Sequence, residues 1–216
     1  GARFSTNSDR DALAERLRLR FDPVQIERPA GALELSGTSS VTLTLVADVA
    51  APTVGGVALQ ATSVSVQGSL AFISYARAGA AHVGAVDVID LSNEAVPVLV
   101  SQATFPDADV NDVYEDGGTV YVAVAGESLP FNETAAIQTL THTAGTLSGS
   151  LSASAPLPSF VATSVMSTGS AVYATSGDAG GLTQFDETTF TETAGALALA
   201  PRWRRGRRPP RGSAPP

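Results

Sequence analysis

The sequence lacks several residue types on which common kinds of site depend. Its 216 residues include no cysteine, no lysine, one tryptophan and one methionine. Without cysteine the chain can form no disulfide bond, zinc finger or thiol nucleophile. Without lysine it can form no Schiff base and no P-loop phosphate site. The longest apolar run, residues 41–51, contains Asp48 and is shorter than the about 20 residues of a membrane-spanning helix. No transmembrane segment is therefore predicted.

Charge is distributed unevenly along the chain. The sequence has 21 acidic residues and 13 arginines, which gives a formal net charge of -8. Residues 29–201 carry 16 acids against one arginine, whereas residues 202–216 carry six arginines and no acid. A strongly acidic central segment repels polyanions such as nucleic acids. We therefore expect no nucleic-acid partner.

The first 30 residues contain the one predicted helix. Leu13, Leu17 and Phe21 recur at intervals of four, and Ser8 stands where an N-cap is expected. These features predict a short N-terminal helix from Ser8 to Phe21, followed by a linker to residue 30. From residue 31 to residue 200 the apolar pattern has a period of two, with clusters of Gly, Ser, Thr, Asn and Asp between the apolar runs. This second pattern predicts an all-β fold.

A motif of two strands and a turn recurs three times. An apolar residue, a glycine and an aromatic residue stand at offsets of 0, 4 and 8, beginning at Val64, Val113 and Val165. Each motif predicts a hairpin with a glycine turn. The third strands are predicted at residues 85–89, 135–140 and 182–185. A unit of about 50 residues with four short strands is typical of a β-propeller blade. A single β-sandwich with three similar hairpins is the alternative.

The third strand of the first repeat and the turn after it resemble a known family. Residues 84–93 read Gly-Ala-Val-Asp-Val-Ile-Asp-Leu-Ser-Asn, and residues 97–100 read Pro-Val-Leu-Val. Asp90 and Ser92 can bond their own backbone in a turn, and Pro97 favours an extended entry to a fourth strand. This combination resembles the LVIVD repeat of bacterial β-propeller proteins. The resemblance implies a secreted or surface-displayed propeller and implies no catalytic residues.

The repeats divide residues 31–200 into three four-stranded blades. We expect these blades near residues 61–109, 110–160 and 161–200, with the third lacking its fourth strand. Propellers close with about four to eight blades, so the array is expected to be an incomplete propeller. Outer strands of one more blade are expected at residues 32–36 and 41–49.

The last segment, residues 201–216, is rich in arginine and proline. We expect it to be disordered or to result from a frameshift in GC-rich DNA. A basic tail that binds an anionic surface is one alternative, with Trp203 available for stacking. A clamp on the acidic body of the same chain is the other.

One acidic segment is a candidate metal site. Asp107, Asp109 and Asn111 follow the alternation of the first ligands in a calcium loop, and Asp112 lies beside them. The glycine at the sixth position and the glutamate at the twelfth are both missing, so a solvated turn between blades is the alternative. Calcium is the one cofactor that the sequence suggests.

The sequence contains no recognisable catalytic arrangement. His82 and His142 lie far apart, and no Gly-x-Ser-x-Gly motif occurs. Asp87 and Asp90 fall on opposite faces of one strand. We therefore expect a non-enzymatic, secreted or cell-surface scaffold that binds an unidentified protein or surface ligand. The alternative is a metal-dependent, lactonase-like hydrolase whose site is completed by further blades.

Overall fold

The computed structural model describes residues 4–25, 42–79, 81–126, 134–177 and 180–194. Of these residues, 64% are in β-strands and one short segment is helical, which confirms the all-β prediction. Three antiparallel sheets, each built on four strands, follow one another along the chain after an N-terminal hairpin. Of the strands predicted from sequence, residues 32–36 lie outside the described residues, as does the segment 201–216.

The N-terminal part consists of short elements. It comprises β1 (Ser5–Asn7), α1 (Arg10–Ala14), β2 (Leu17–Gln25), β3 (Thr42–Val49), β4 (Thr53–Val54) and β5 (Val57–Ala58). Strands β2 and β3 pair with each other, as do β4 and β5. Strand β3 coincides with the strand predicted at residues 41–49.

The predicted extent of the N-terminal helix is wrong. Helix α1 is five residues long, and its N-cap is Asp9, whose carboxylate accepts hydrogen bonds from the backbone of Asp11 and Ala12. From Leu17 onward the chain is a strand, because its backbone pairs with β3. The same residues also alternate, with arginines between the leucines, so the local pattern fits either structure and the pairing partner decides between them.

The three sheets have the same strand order. The first sheet contains β6 (Gln60–Gln67), β7 (Leu70–Ala76), β8 (Gly84–Asp90) and β9 (Val98–Phe105), with β1 added at the edge of β9. The second contains β10 (Ala108–Asp116), β11 (Thr119–Gly126), β12 (Ala135–Thr143) and β14 (Ala153–Pro156), with β13 (Thr146–Leu147) paired to the end of β12. The third contains β15 (Ala162–Ser167), β16 (Ala171–Ser176), β17 (Leu182–Asp186) and β18 (Glu192–Ala194). The expectation that the third repeat lacks its fourth strand is wrong, because β18 pairs with β17.

The three predicted hairpins are confirmed. Strands β6 and β7, β10 and β11, and β15 and β16 pair antiparallel. Gly68, Gly117 and Gly169 lie in the turns with φ of 56°, 57° and 77°. This left-handed region strains residues with a β-carbon, and glycine adopts it without that cost. The turn chemistry therefore fixes where each first strand ends.

The sheets stack face to face around two hydrophobic cores. The first core lies between the first and second sheets and includes Phe72, Val88 and Val122. The second lies between the second and third sheets and includes Ile137 and Phe185. A single sheet of this length cannot bury both of its faces, so each sheet depends on its neighbours for stability.

Candidate functional site

The four residues of the predicted calcium loop lie where β10 begins. Asp107 is exposed in the turn between β9 and β10, and Asp109, Asn111 and Asp112 lie on β10 itself. Strand β10 is the first strand of the second sheet and packs between the first and third sheets. The residues of this strand are therefore directed toward two different neighbours.

Asp109 is buried and binds the loop between β7 and β8 of the first sheet. One carboxylate oxygen accepts hydrogen bonds from the backbone N–H of Val83 at 3.0 Å and of Arg77 at 3.3 Å. The other oxygen lies 2.8 Å from Nδ1 of His82. Asp109 thus holds the loop that connects two strands of the neighbouring sheet.

Asn111 and Asp112 bind the third sheet instead. The Asn111 amide donates to the carbonyl oxygen of Ala162 at 2.8 Å. One oxygen of Asp112 accepts from the hydroxyl of Ser164 at 2.7 Å and from the backbone N–H of Val165 at 2.9 Å. The structure therefore brings Asn111 and Asp112 to one junction and Asp109 to another.

These contacts bear on the predicted metal site. In the ranges that the structure describes, no three His, Asp or Glu side chains lie close enough together to hold a metal ion. The oxygens of Asp109 and Asp112 already accept hydrogen bonds from protein donors. Binding of calcium through these oxygens would have to compete with those donors. A calcium site at Asp107, Asp109, Asn111 and Asp112 stays a prediction.

His82 has the orientation that a general base requires. Its Nδ1 faces the Asp109 carboxylate, while its side chain is partly exposed at the end of the sheet. A carboxylate in this position fixes the ring and its tautomer, as in hydrolytic triads. Among the described residues no serine or threonine hydroxyl hydrogen-bonds to the ring. The pair by itself therefore orients an imidazole without supplying a nucleophile.

His142 is part of a second, more deeply buried pair. Its Nε2 lies 3.2 Å from a Glu115 oxygen, and that oxygen also accepts from the backbone N–H of Gly118 at 2.7 Å. The backbone N–H of Gly145 donates to Nδ1 at 3.2 Å. Because Nδ1 accepts, the hydrogen-bond network assigns the proton to Nε2 and leaves the ring neutral. The ring also packs on Phe72, with the centroids 5.2 Å apart.

A third cluster joins the second and third sheets near the glycine turns. The Ser167 hydroxyl lies 2.8 Å from an Asp116 oxygen and 2.9 Å from a Glu187 oxygen. The Tyr121 hydroxyl donates to the same Glu187 oxygen at 2.7 Å. Burial raises the pKa of Tyr121, and the hydrogen bond to Glu187 raises it further. The phenol therefore stays protonated as a donor in neutral solution.

Asp87 is fully buried and holds the N-terminal part on the first sheet. Arg16 donates to both of its oxygens, at 3.1 and 2.5 Å, and Gln102 donates to one of them at 2.8 Å. Asp90, at the end of the same strand, accepts from the backbone N–H of Ser92 at 2.8 Å, which confirms the predicted turn. That hydrogen bond lowers the pKa of Asp90.

Sequence reasoning missed these pairs for a common reason. Asp109 and His82 are 27 residues apart, as are Glu115 and His142. Asp109 reaches His82 in the loop between β7 and β8 of the first sheet, whereas Glu115 and His142 lie on β10 and β12 of the second sheet. In both cases the partner lies too far along the chain to leave a local sequence signal, and the pair becomes visible only in the folded chain.

Comparison with known proteins adds no relative. No protein-family model matches the chain, and no curated protein is significantly similar to it. The resemblance to LVIVD repeats therefore stays a prediction. No helix in the part of the chain that the structure describes has the length and apolar character needed to cross a membrane.

Proposed function

We propose that the chain is a non-enzymatic scaffold of the β-propeller kind that binds a protein or a surface ligand through the loops between its strands. One observation carries this proposal. The buried acidic side chains Asp87, Asp109 and Glu115 all accept hydrogen bonds from strands or loops that they hold in place. Acid–base catalysis needs carboxyl groups directed at an open site, whereas these groups fix the framework.

The repeated stacking supports the propeller part of the proposal. The first strand of each sheet lies beside the first strand of the next, through Thr62 and Val110 and then through Asn111 and Ala162. Blades of a propeller are arranged in this way around a central channel. The described sheets would then be successive blades of an incomplete ring.

Secretion or display on a bacterial surface is also part of the proposal. It rests on the resemblance to LVIVD repeats and on the acidic composition of residues 29–201. An acidic surface keeps a protein soluble and favours partners that are neutral or basic at the contact. The loops at the ends of the strands are the surfaces offered to such a partner.

A matched pair of variants tests the structural role of the acids. Asp112→Ala removes the acceptor for Ser164 and Val165, which leaves a backbone N–H unpaired at the sheet junction. We expect it to lower the free energy of unfolding by about 1–3 kcal/mol in urea titrations. Asp107→Ala, at an exposed turn position, should change it by no more than about 0.5 kcal/mol. Equal effects would contradict the proposed role.

A second experiment distinguishes the scaffold from the hydrolase. The full chain is assayed against a panel of lactones and aryl esters with calcium, zinc or a chelator. The scaffold predicts no turnover above the blank under any of these conditions. Saturable hydrolysis that requires the metal and is lost in Asp107→Asn would refute the scaffold and favour the lactonase-like alternative. His82→Asn is the companion variant, because it removes the partly exposed imidazole that Asp109 orients.

A further inference from the structure

Positions in the three sheets are called equivalent here when they occupy the same place in the strand pairing relative to the first hairpin. Equivalent side chains lie on the face of each sheet that is directed toward the next sheet. In the first two sheets the third-strand residues at one such position, Val86 and Ile137, are both 0% exposed. The equivalent residue of the third sheet, Leu182, is 39% exposed. On the first strand, Ser65 is 8% exposed, whereas its equivalent Met166 is 47% exposed. The third sheet therefore presents, uncovered, the face that its predecessors bury.

The junction between sheets is built in the same way twice. Each first strand has a register shift, centred on Thr62 in β6 and on Asn111 in β10. The Thr62 hydroxyl donates to the carbonyl oxygen of Val110 at 2.7 Å, and the Asn111 amide donates to that of Ala162 at 2.8 Å. In both cases the irregularity aims a side-chain donor at the backbone of the next sheet.

The third sheet has the same register shift, and the same hydroxyl at that position, as the first sheet has at its junction with the second. Strand β15 has its register shift at Thr163, the position equivalent to Thr62. The Thr163 hydroxyl lies 2.8 Å from that of Thr175, just as the Thr62 hydroxyl lies 2.8 Å from that of Ser74. The Thr163 hydroxyl donates to the carbonyl oxygen of Thr175 at 3.1 Å, within its own sheet. Thr163 is exposed, so rotation of the hydroxyl group would redirect this hydrogen to a carbonyl oxygen of a docked sheet.

We propose that the outward face of the third sheet is a docking surface for a fourth four-stranded sheet of the same repeat. This inference rests on the proposed propeller scaffold and names the surface on which the next sheet of the propeller would pack. The fitting partner has a β-bulge on its first strand, which offers a carbonyl oxygen to Thr163. Beyond its bulge the partner has small or apolar residues, at the position that Val113 occupies in the second sheet and Val165 in the third. In the docked state Met166 and Leu182 pack against these residues of the partner.

The first sheet of another copy is a poor occupant of this surface. Its free face is already covered over β7, β8 and β9, where Leu13 and Val49 pack on Ile89 and Leu99. Further covering comes from Leu59 and the β4–β5 hairpin. A whole sheet cannot seat on a face whose outer strands are covered, so a separate sheet unit is the better fit.

The test inserts a second copy of residues 157–194 directly after Ala194 of the full chain. If the surface is used as proposed, the inserted sheet folds on the third sheet, and the longer chain unfolds in one transition with a higher Tm. Met166→Asp in the original third sheet should then lower the Tm of the longer chain by about 5 °C or more, because it buries a carboxylate. In the chain without the insert the same substitution should leave the Tm unchanged, since the position is exposed.

Val96→Asp is the matched control, because Val96 is 45% exposed in the turn between β8 and β9 and should be neutral in both chains. An insert that stays unfolded, or a Met166→Asp effect that is the same in both chains, would overturn the proposal. A dimer of the original chain that Met166→Asp dissociates, measured by light scattering, would overturn it in favour of a second copy. None of these outcomes depends on hydrolysis. The proposal that the chain is a non-enzymatic scaffold is therefore tested separately, by the lactone and ester assay.

Discussion

Arg16→Met is the substitution whose effect follows most directly from the structure. Arg16 neutralises Asp87, which is fully buried, and it also donates to the carbonyl oxygen of Ala50 at 2.8 and 3.0 Å. Removing one partner of a buried ion pair costs about 3–5 kcal/mol, because the other charge is left without compensation. The Arg16 side chain is 19% exposed, so water can reach part of the site, and we expect a loss of about 3 kcal/mol.

A urea titration in which unfolding is monitored by circular dichroism measures this loss. A thermal scan should show a fall in Tm of about 6–12 °C. Arg20→Met is the matched control, since Arg20 pairs with Asp22 and Asp48 on the surface, where such pairs contribute about 0–1 kcal/mol. Adding Asp87→Asn to Arg16→Met removes the buried charge and should recover part of the stability. A loss for Arg16→Met as small as that for Arg20→Met would refute the reasoning.

Three further predictions concern close packing, the sheet junctions and ionisation. Gly84→Ala should lower the free energy of unfolding by about 1–3 kcal/mol or more, because its new β-carbon would lie 2.6 Å from backbone atoms of the second sheet. In the same urea titration Gly149→Ala should be nearly neutral, because its β-carbon would meet no atom closer than 3.9 Å. Thr62→Val should lose about 1 kcal/mol with its hydrogen bond to the next sheet, and Thr163→Val clearly less; equal losses would contradict the assignment. Burial and the neighbouring carboxylate of Glu187 raise the pKa of Tyr121. Its contribution to stability is therefore complete below the pKa of an unfolded tyrosine, about 10, and is lost as the pH rises through the folded value. Burial also raises the pKa of Tyr75, so an alkaline absorbance titration should show two late phenols, of which Tyr121→Phe removes one.

Most strands could be predicted because their signals are local. The spacing of apolar residue, glycine and aromatic residue located all three first hairpins, and the turns at Gly68, Gly117 and Gly169 lie where expected. The Asp90 turn was also predictable, since a side chain that bonds the backbone two residues on needs no distant partner. The helix prediction failed at Leu17 because there the competing structure, pairing with β3, is non-local.

The candidate site could not be predicted in the same way. Asp107, Asp109, Asn111 and Asp112 look like one loop in the sequence. The register shift at Asn111 interrupts the alternation of β10, so that Asp109 contacts the first sheet while Asn111 and Asp112 both contact the third. Once the sheets are stacked, Asp109 meets His82 from the first sheet. The acids are close in sequence but do not converge, and their partners are distant in sequence but adjacent in space.

The sequence by itself determined the strands, their turns and the threefold repeat, because alternation and glycine chemistry act over a few residues. Only the tertiary structure decided which charges are buried and what they bind. Arg16 and Asp87 are 71 residues apart, and Asn111 and the carbonyl of Ala162 are 51 apart. Such contacts form only when parts of the chain that are distant in sequence pack on one another, since burying a polar group is tolerated only where a partner is supplied.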